Sequence, residues 1–403
     1  MNRLTGKIFL IILWVMALAL PATAIELQSE VTDEPISPTP TISLITCWPG
    51  SDIYELYGHT MLRVVTPEGE DMVYNYGIFD FSAPNFVYRF VKGETDYMVR
   101  AYPTVVALYG YQGRKTVEQT LNLTPEQAQS IKTALEINEL PENRVYRYNY
   151  LLDNCATRPR DIVENALGGS LRYGQMNDTL TYRQQMRYRC ANYPWQQFGI
   201  DLALGSGLDR ILTYREQMFV PMTLMEAFEG ATVERDGITE PLVVSSCTLI
   251  DGNDNGDILP PTPWYASPMA AAIALLVIVI LFTRHDLRRR HVSRWLDFLL
   301  YIIYGLAGCL VAYLILISTH EATSPNFNAL WLNPFYLVVA VLTLIPSARK
   351  AAILCHFIVA VVTLLTLLFW WALPQTANPA FFPLMAVPAI RSISYFYITI
   401  CGK

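Results

Sequence analysis

Residues 148–167, YNYLLDNCATRPRDIVENAL, place Cys155 directly behind Asp153 and Asn154 at what the pattern predicts to be a helix start. Either polar side chain can accept hydrogen bonds from first-turn N–H groups. A helix from there to Ala166 would bury Ile162, Val163 and Leu167 and stop at Gly168-Gly169. A thiol in the first turn of a helix faces unpaired N–H groups and the positive end of the dipole, which favours thiolate and makes the sulfur a nucleophile. The same position suits a small core residue or half of a disulfide. Histidine usage bears on the choice. Of the five histidines, at 59, 285, 291, 320 and 356, only His59 precedes the strongly apolar C-terminal region. It opens the amphipathic stretch HTMLRVV just after Gly58, where an imidazole can project past a sheet edge toward a helix start. Any cysteine in the N-terminal half that has a histidine base must use it.

An imidazole acting as base needs a partner to orient it. Asn75 lies in MVYNYG, the strand expected to pair with HTMLRVV across the turn TPEGED. It shares a face with His59 in only one register, and a one-residue slip passes the role to Asp80. Glu55, four residues before His59, is a further candidate if DIYELYGH is helical, although a solvated charge is the plainer reading. Asn75 ranks first. Cys47 is the rival nucleophile, but it ends a strand before WPGSD with no helix start behind it. Cys47, Cys190 and Cys247 leave room for one disulfide whose pairing the sequence does not determine. Arg63 and Arg158 suit either a phosphate headgroup or ordinary ion pairs. The run DGNDNGD, residues 251–257, echoes half a calcium loop but has Thr262 at the twelfth position, so it reads as a polar linker.

These residues need a frame. TISLITC and VEQTLNL read as strands beside the hairpin. TPEQAQSIKTALEIN reads as a helix with Thr124 as N-cap, Pro125 first and Gln127 closing a capping box, with Ala128, Ile131 and Leu135 on its buried side. Residues 42–250 therefore form an α+β domain. The whole chain has 403 residues, 52% hydrophobic and only 16% charged, too apolar for a soluble enzyme. Its net charge of −6, with basic residues scattered or beside apolar segments, argues against a nucleic-acid partner.

Arg3 and Lys7, the run Ile8–Leu20 and PATA make residues 1–24 an expected signal peptide, with an uncleaved anchor as the alternative. No cysteine follows at lipobox distance. A proline-rich linker, 25–41, leads into the exported domain, and 251–266 links it to a membrane domain, 267–403. There five apolar stretches, 267–283, 295–318, 331–346, 351–373 and 383–400, approach spanning length, the third and fifth being weakest. Arg284, Arg288, Arg289, Arg290 and Arg294 sit between the first two, and Arg349 with Lys350 between the third and fourth, which assigns those loops to the cytoplasm. THEATSPNFNA and PQTANPA carry no Lys or Arg and fall on the side of the exported domain. His320, Glu321, Asn326 and Asn328 lie in the former, as entry-shaping groups or simple anchors. Arg391, inside the fifth stretch, should face other helices or a lipid headgroup.

Three segments in order, LITCWPGSDIYELYGHTMLRV, YNYGIFDFSAPNFVYRFVKGE and LLDNCATRPRDIV, resemble the exported domain of the Lnb-type lipoprotein N-acyltransferases of Bacteroidota, whose membrane half also follows the catalytic domain. The likeness covers nearly the whole chain. More distantly, the order His59 then Asn154-Cys155 resembles the permuted papain-like enzymes of the lecithin–retinol acyltransferase and NlpC/P60 kind. The resemblance implies a cysteine helix packed on an antiparallel sheet, anchored in a bacterial inner membrane with its catalytic domain in the periplasm. It further implies that Cys155, activated by His59, takes an acyl chain from a phospholipid as a thioester and passes it to the α-amine of a diacylglyceryl-cysteine lipoprotein. The Cys155 N–H would serve the oxyanion, with Asn154 as helper, and no metal or cofactor is called for. Two other functions stay open: a cell-wall amidase of NlpC/P60 type, which has little use for five spans, and a non-enzymatic envelope sensor or scaffold. Oligomeric state is not readable.

Overall fold

The computed structural model describes residues 39–80, 82–174, 179–253 and 260–401. The expected signal peptide, nearly all of the proline-rich linker and the middle of the second linker lie outside these residues. Among the described residues ten strands are formed: β1 (Thr41–Cys47), β2 (His59–Val65), β3 (Asp71–Ile78), β4 (Asp96–Pro103), β5 (Thr116–Leu121), β6 (Val145–Arg147), β7 (Leu171–Arg172), β8 (Thr232–Arg235), β9 (Ile238–Pro241) and β10 (Val243–Ile250). Seven make one antiparallel sheet in the order β10-β5-β1-β2-β3-β4-β6, and β7-β8-β9 make a small second sheet. TISLITC is central in the large sheet and buried along nearly its whole length, which is why it reads as an apolar run with little alternation.

The sheets are accompanied by the helices α1 (Phe86–Lys92), α2 (Thr104–Tyr109), α3 (Pro125–Glu139), α4 (Thr157–Leu167), α5 (Tyr182–Arg189), α6 (Pro194–Ala203), α7 (Tyr214–Gln217) and α8 (Pro221–Glu229). The capping box of α3 forms as its sequence requires: Thr124 accepts from the Gln127 N–H at 3.2 Å and Gln127 returns the bond to the Thr124 N–H at 3.0 Å. Ala128, Ile131 and Leu135 of α3, with Val163 and Leu167 of α4 and Phe228 of α8, pack on the sheet face that carries Leu44, Leu62, Tyr74 and Tyr76. The opposite face carries Ile45, Cys47, Met61 and Val73 and is covered by Ala107 and Leu108 of α2 and by Tyr111.

The C-terminal region contains α9 (Pro268–Arg289), α10 (Arg294–Leu316), α11 (Phe335–Leu344), α12 (Arg349–Phe369) and α13 (Phe381–Cys401). Among the described residues five segments are long and apolar enough to cross a membrane. The third differs from a simple span. Its α-helix has ten residues, about 15 Å of rise, and the preceding stretch is built from two short 3-10 turns at Glu321–Thr323 and Phe327–Leu330. Asn326 and Asn328 explain the break. Their side-chain amides donate to the Leu202, Ala203 and Asp201 carbonyls of α6, so this stretch docks onto the sheet-bearing domain instead of continuing as helix. Arg391 faces other helices, bonded to Asp297 at 2.5 Å, Asp286 at 2.8 Å and Thr283 at 3.0 Å.

Asp201 is the hub of the contact between the two regions. Fully buried, it accepts from Arg183 at 2.8 Å, Arg187 at 3.0 Å and the Asn378 amide at 2.9 Å, while Arg187 also reaches the Ala377 carbonyl. Both Lys- and Arg-free loops thus meet the sheet-bearing domain. Asp201→Ala would leave the buried Arg183 guanidinium with only Asp209 as its anion. The expected outcome is a loss of about 3–5 kcal/mol, read as a lowered midpoint in thermal unfolding of the detergent-solubilised protein.

Candidate active site

The pairing of β2 with β3 runs from Val65↔Asp71 to Met61↔Asn75 and ends there. Met61 and Asn75 being opposite, His59 and Asn75 lie on one face as diagonal neighbours, and the His59 Nε2 to Asn75 Oδ1 distance is 2.7 Å. The Asn75 amide also engages the Tyr111 hydroxyl. With its N–H group turned to that oxygen, its Oδ1 accepts from His59 Nε2–H, and the lone pair of the imidazole is left on Nδ1. Tyr111 stacks on the ring at 5.7 Å and 14°. The imidazole is held in tautomer and in plane.

Beyond Asn75 the strands separate. β3 shifts register against β4 between Tyr76 and Ile78, with Gly77 at φ 91°, a conformation that L side chains rarely adopt. The Thr60 N–H, left without a partner in β3, points at the sulfur of Cys155, as does the cysteine's own N–H. A Cβ placed on Gly77 would stand 3.5 Å from the Cys155 Cβ and 3.7 Å from the Tyr148 ring. Cys155 therefore enters at the split between β2 and β3, with Thr60 on the sulfur and His59 the adjoining residue.

Asn154 positions the thiol. Its Oδ1 accepts from the Ala156 N–H at 2.8 Å and the Thr157 N–H at 2.9 Å, and Thr157 Oγ1 accepts from the Asn154 N–H at 2.8 Å. The regular helix begins at Thr157, so Cys155 occupies the capping turn ahead of the helix and not its first turn. Both N–H groups of the Asn154 amide are engaged, by the Tyr150 and Phe219 carbonyls at 2.9 Å each, and none is left for an oxyanion. Burial pushes the Cys155 thiol up to about 11 despite the two N–H groups that favour the thiolate. It also pulls His59 down to about 4, aided by the Arg114 charge and opposed by Asn75. The expectation of a resting thiolate is thus corrected: desolvation outweighs the helix end, and thiol and imidazole are both neutral near pH 7.

The other candidates have different partners. Residues 51–57 are turns, not helix, and Glu55 accepts from Arg114 at 2.8 Å instead of turning to His59. Arg114 in addition donates twice to the Trp48 carbonyl, which ties down the loop before His59. Arg63 is taken by Asp71 and Glu118, at 2.7 and 2.9 Å. Arg158 is paired with Asp153 at 2.5 Å and lies 3.5 Å over the Tyr146 ring. Neither guanidinium is open to a headgroup as the side chains stand. Asp80 is exposed and bonded to Ser82. Cys47, directly across from His59, is buried with its thiol pushed up to about 12, and it, Cys190 and Cys247 are free thiols. Sequence reasoning missed Tyr111, Tyr148 and the Thr60 N–H. The first two are among 24 tyrosines with no distinguishing spacing, and a backbone donor carries no residue-type signal.

A family model described as the Lnb N-terminal periplasmic domain matches residues 29–188, and one described as the Lnb transmembrane domain matches 261–403. The chain belongs to the Lnb-type lipoprotein N-acyltransferases. No curated protein and no solved structure matches it. As a member of this family it is a multi-pass membrane protein with a periplasmic domain, an antiparallel-sheet unit followed by a helical membrane region. In this Lnb-family chain His59, Asn75, Thr60 and Cys155 all lie in the periplasmic match.

The raised thiol has a direct consequence. Thiolate is the alkylating species, and below a pKa of about 11 its fraction rises about tenfold per pH unit. Iodoacetamide labelling of the Cys155 peptide, followed by mass spectrometry, should be slow at pH 7 and still climbing at pH 10. A plateau reached below pH 8 would contradict a neutral resting thiol.

Proposed function

We propose that Cys155 and His59 carry out the N-acyl transfer by a covalent route, with a membrane phospholipid as donor and a diacylglyceryl-cysteine lipoprotein as acceptor. The observation that supports this most is the grouping at the strand split, where the imidazole oriented by Asn75 belongs to the residue next to Thr60, whose N–H, with that of Cys155, reaches the sulfur. His59 Nδ1 removes the thiol proton as sulfur attacks the ester carbonyl, and the Cys155 N–H receives the negative charge that develops on the carbonyl oxygen. The C–O bond then breaks, the lysophospholipid oxygen leaves with the proton from His59, and the acyl group remains as a thioester. The α-amine of the lipoprotein attacks that carbonyl and gives a proton to His59; the C–S bond breaks and the thiol is restored.

Neutral resting groups suit this order, because proton transfer and attack occur together and no ion pair has to persist in a buried site. The donor already holds an ester of the oxidation level required, so no energy source enters the scheme. In this reading residues 1–24 direct export, 42–250 hold the chemistry and 267–403 hold it at the inner membrane.

Mass spectrometry of lipoprotein N-terminal peptides tests the assignment, in cells whose only copy carries Cys155→Ala or Asn75→Ala. Cys155→Ala should abolish the N-acyl mass and leave the diacylglyceryl group. Asn75→Ala should lower the rate about 10- to 100-fold in a purified assay, with KM little changed, since it positions the base and touches no substrate. Full N-acylation by the Cys155→Ala chain would refute the covalent route, and altered muropeptides in its place would point to the amidase chemistry.

A further inference from the structure

Between α1 and the nucleophile aromatic rings follow one another without a gap. Phe90 faces Phe86 at 6.3 Å, Phe86 stacks on Phe79 at 5.6 Å, Phe79 meets Tyr97 at 4.9 Å and Tyr97 stacks on Tyr148 at 4.1 Å. The Tyr148 ring and the Cys155 Cβ then converge on the same point beside Gly77. The outer end of this series is attached to a membrane span. Ser318 Oγ donates to the Val91 carbonyl and the Thr319 N–H to the Lys92 carbonyl, both at 2.8 Å, and His320 Nε2 bonds the Phe90 carbonyl at 2.7 Å. Those three residues follow α10 one residue on, its last helical residue being Leu316 and its C-cap Ile317. This places α1 at the level where the bilayer core gives way to its polar boundary.

For a helix in water α1 has the wrong surface. None of its residues is buried, and Val87 is 71% exposed, Tyr88 56% and Phe90 38%. Seven residues cannot sustain a helix alone. Its cations are compensated, Arg89 by Asp96 and Lys92 by Glu94, which removes an obstacle to apolar surroundings. Ile53, in the loop ahead of His59, and Leu152, three residues before Cys155, are exposed apolar side chains as well.

Building on the acyl-transfer reading above, we propose that α1 lies in the periplasmic leaflet and receives the acyl chain of the donor phospholipid, which then follows the aromatic series until its ester carbonyl stands at Cys155. The occupant is a lipid acyl chain, because the helix is held at the end of a span and its outward residues are aliphatic and aromatic.

The full-length protein, reconstituted in vesicles of phosphatidylethanolamine and phosphatidylglycerol without acceptor, reports this through the intact mass of the Cys155 thioester. The water-soluble ester p-nitrophenyl butyrate serves as a second donor, its butyryl group passing to sulfur and p-nitrophenol leaving. Val87→Glu should slow acylation from the vesicles at least about tenfold and leave the soluble ester unaffected. Val87→Leu should keep both rates, as should Ile238→Glu, an equally exposed change on β9. Vesicle rates for Val87→Glu equal to those of Ile238→Glu, or loss of both donors together, would overturn the proposal. Failure of the acyl-transfer reading looks different: a Cys155→Ala chain would still release p-nitrophenol at the parent rate.

Discussion

Met61 opposite Asn75 is the last pair of the β2–β3 ladder, and much of the chemistry follows from where that ladder stops. One residue of slip would carry Asn75 to the helix-covered face, away from the imidazole. One more pair would close Thr60 against β3 and take one of the sulfur's two backbone donors away. The stop itself comes from Gly77, whose positive φ lets β3 bulge and gives Cys155 a place between the strands. A side chain at 77 would face both a conformational penalty and contact with Cys155 and Tyr148. Register, bulge and capping turn thus act as one device.

Electrostatics at this device run against the simplest expectation. A helix end favours an anion by roughly 1 kcal/mol, an amount that burial in a region of tyrosines readily exceeds. Cys155 is surrounded by Tyr111, Tyr146 and Tyr148, whose hydroxyls burial likewise pushes well above their ordinary range. A low-dielectric pocket that disfavours thiolate also disfavours imidazolium, and the two effects are matched in sign. The result is a site in which both groups rest neutral. Such a site resists oxidation and stray alkylation in an oxidising compartment, which a standing thiolate would not.

Much of this was legible in residue types and little of it in their relations. The capping box at Thr124, the Asn154 cap and the apolar spans are written locally, within four residues or within one hydrophobic run, and the structure has them close to where pattern puts them. His59 and Cys155 stand out because alternatives are few. Glu55 is different: whether DIYELYGH is helix or turn depends on Arg114, 59 residues away, which pulls Glu55 and the Trp48 carbonyl together. For Arg63 and Arg158 the sequence leaves headgroup and ion pair both open, because their anions, Asp71, Glu118 and Asp153, are reached only through strand pairing or a tight turn. The broken third span has the same origin, since Asn326 and Asn328 are satisfied by α6, more than a hundred residues earlier.

That long-range polar contact has a role beyond holding two regions together. A nucleophile that draws its substrate from a bilayer must stand at a set height above it, and an apolar junction would allow sliding at little cost. Hydrogen bonds do not permit that. Asp201 with Arg183, Arg187 and Asn378 supplies directional bonds on one side of the junction, and the Ser318–His320 turn with α1 supplies them on another. Two separated sets of directional contacts resist rotation as well as translation. Charged groups buried this way seldom add much stability over apolar packing, but they do specify a single arrangement. Under the acyl-transfer route proposed above, in which both substrates lie in one surface, such an arrangement would set the height at which a carbonyl is presented to Cys155.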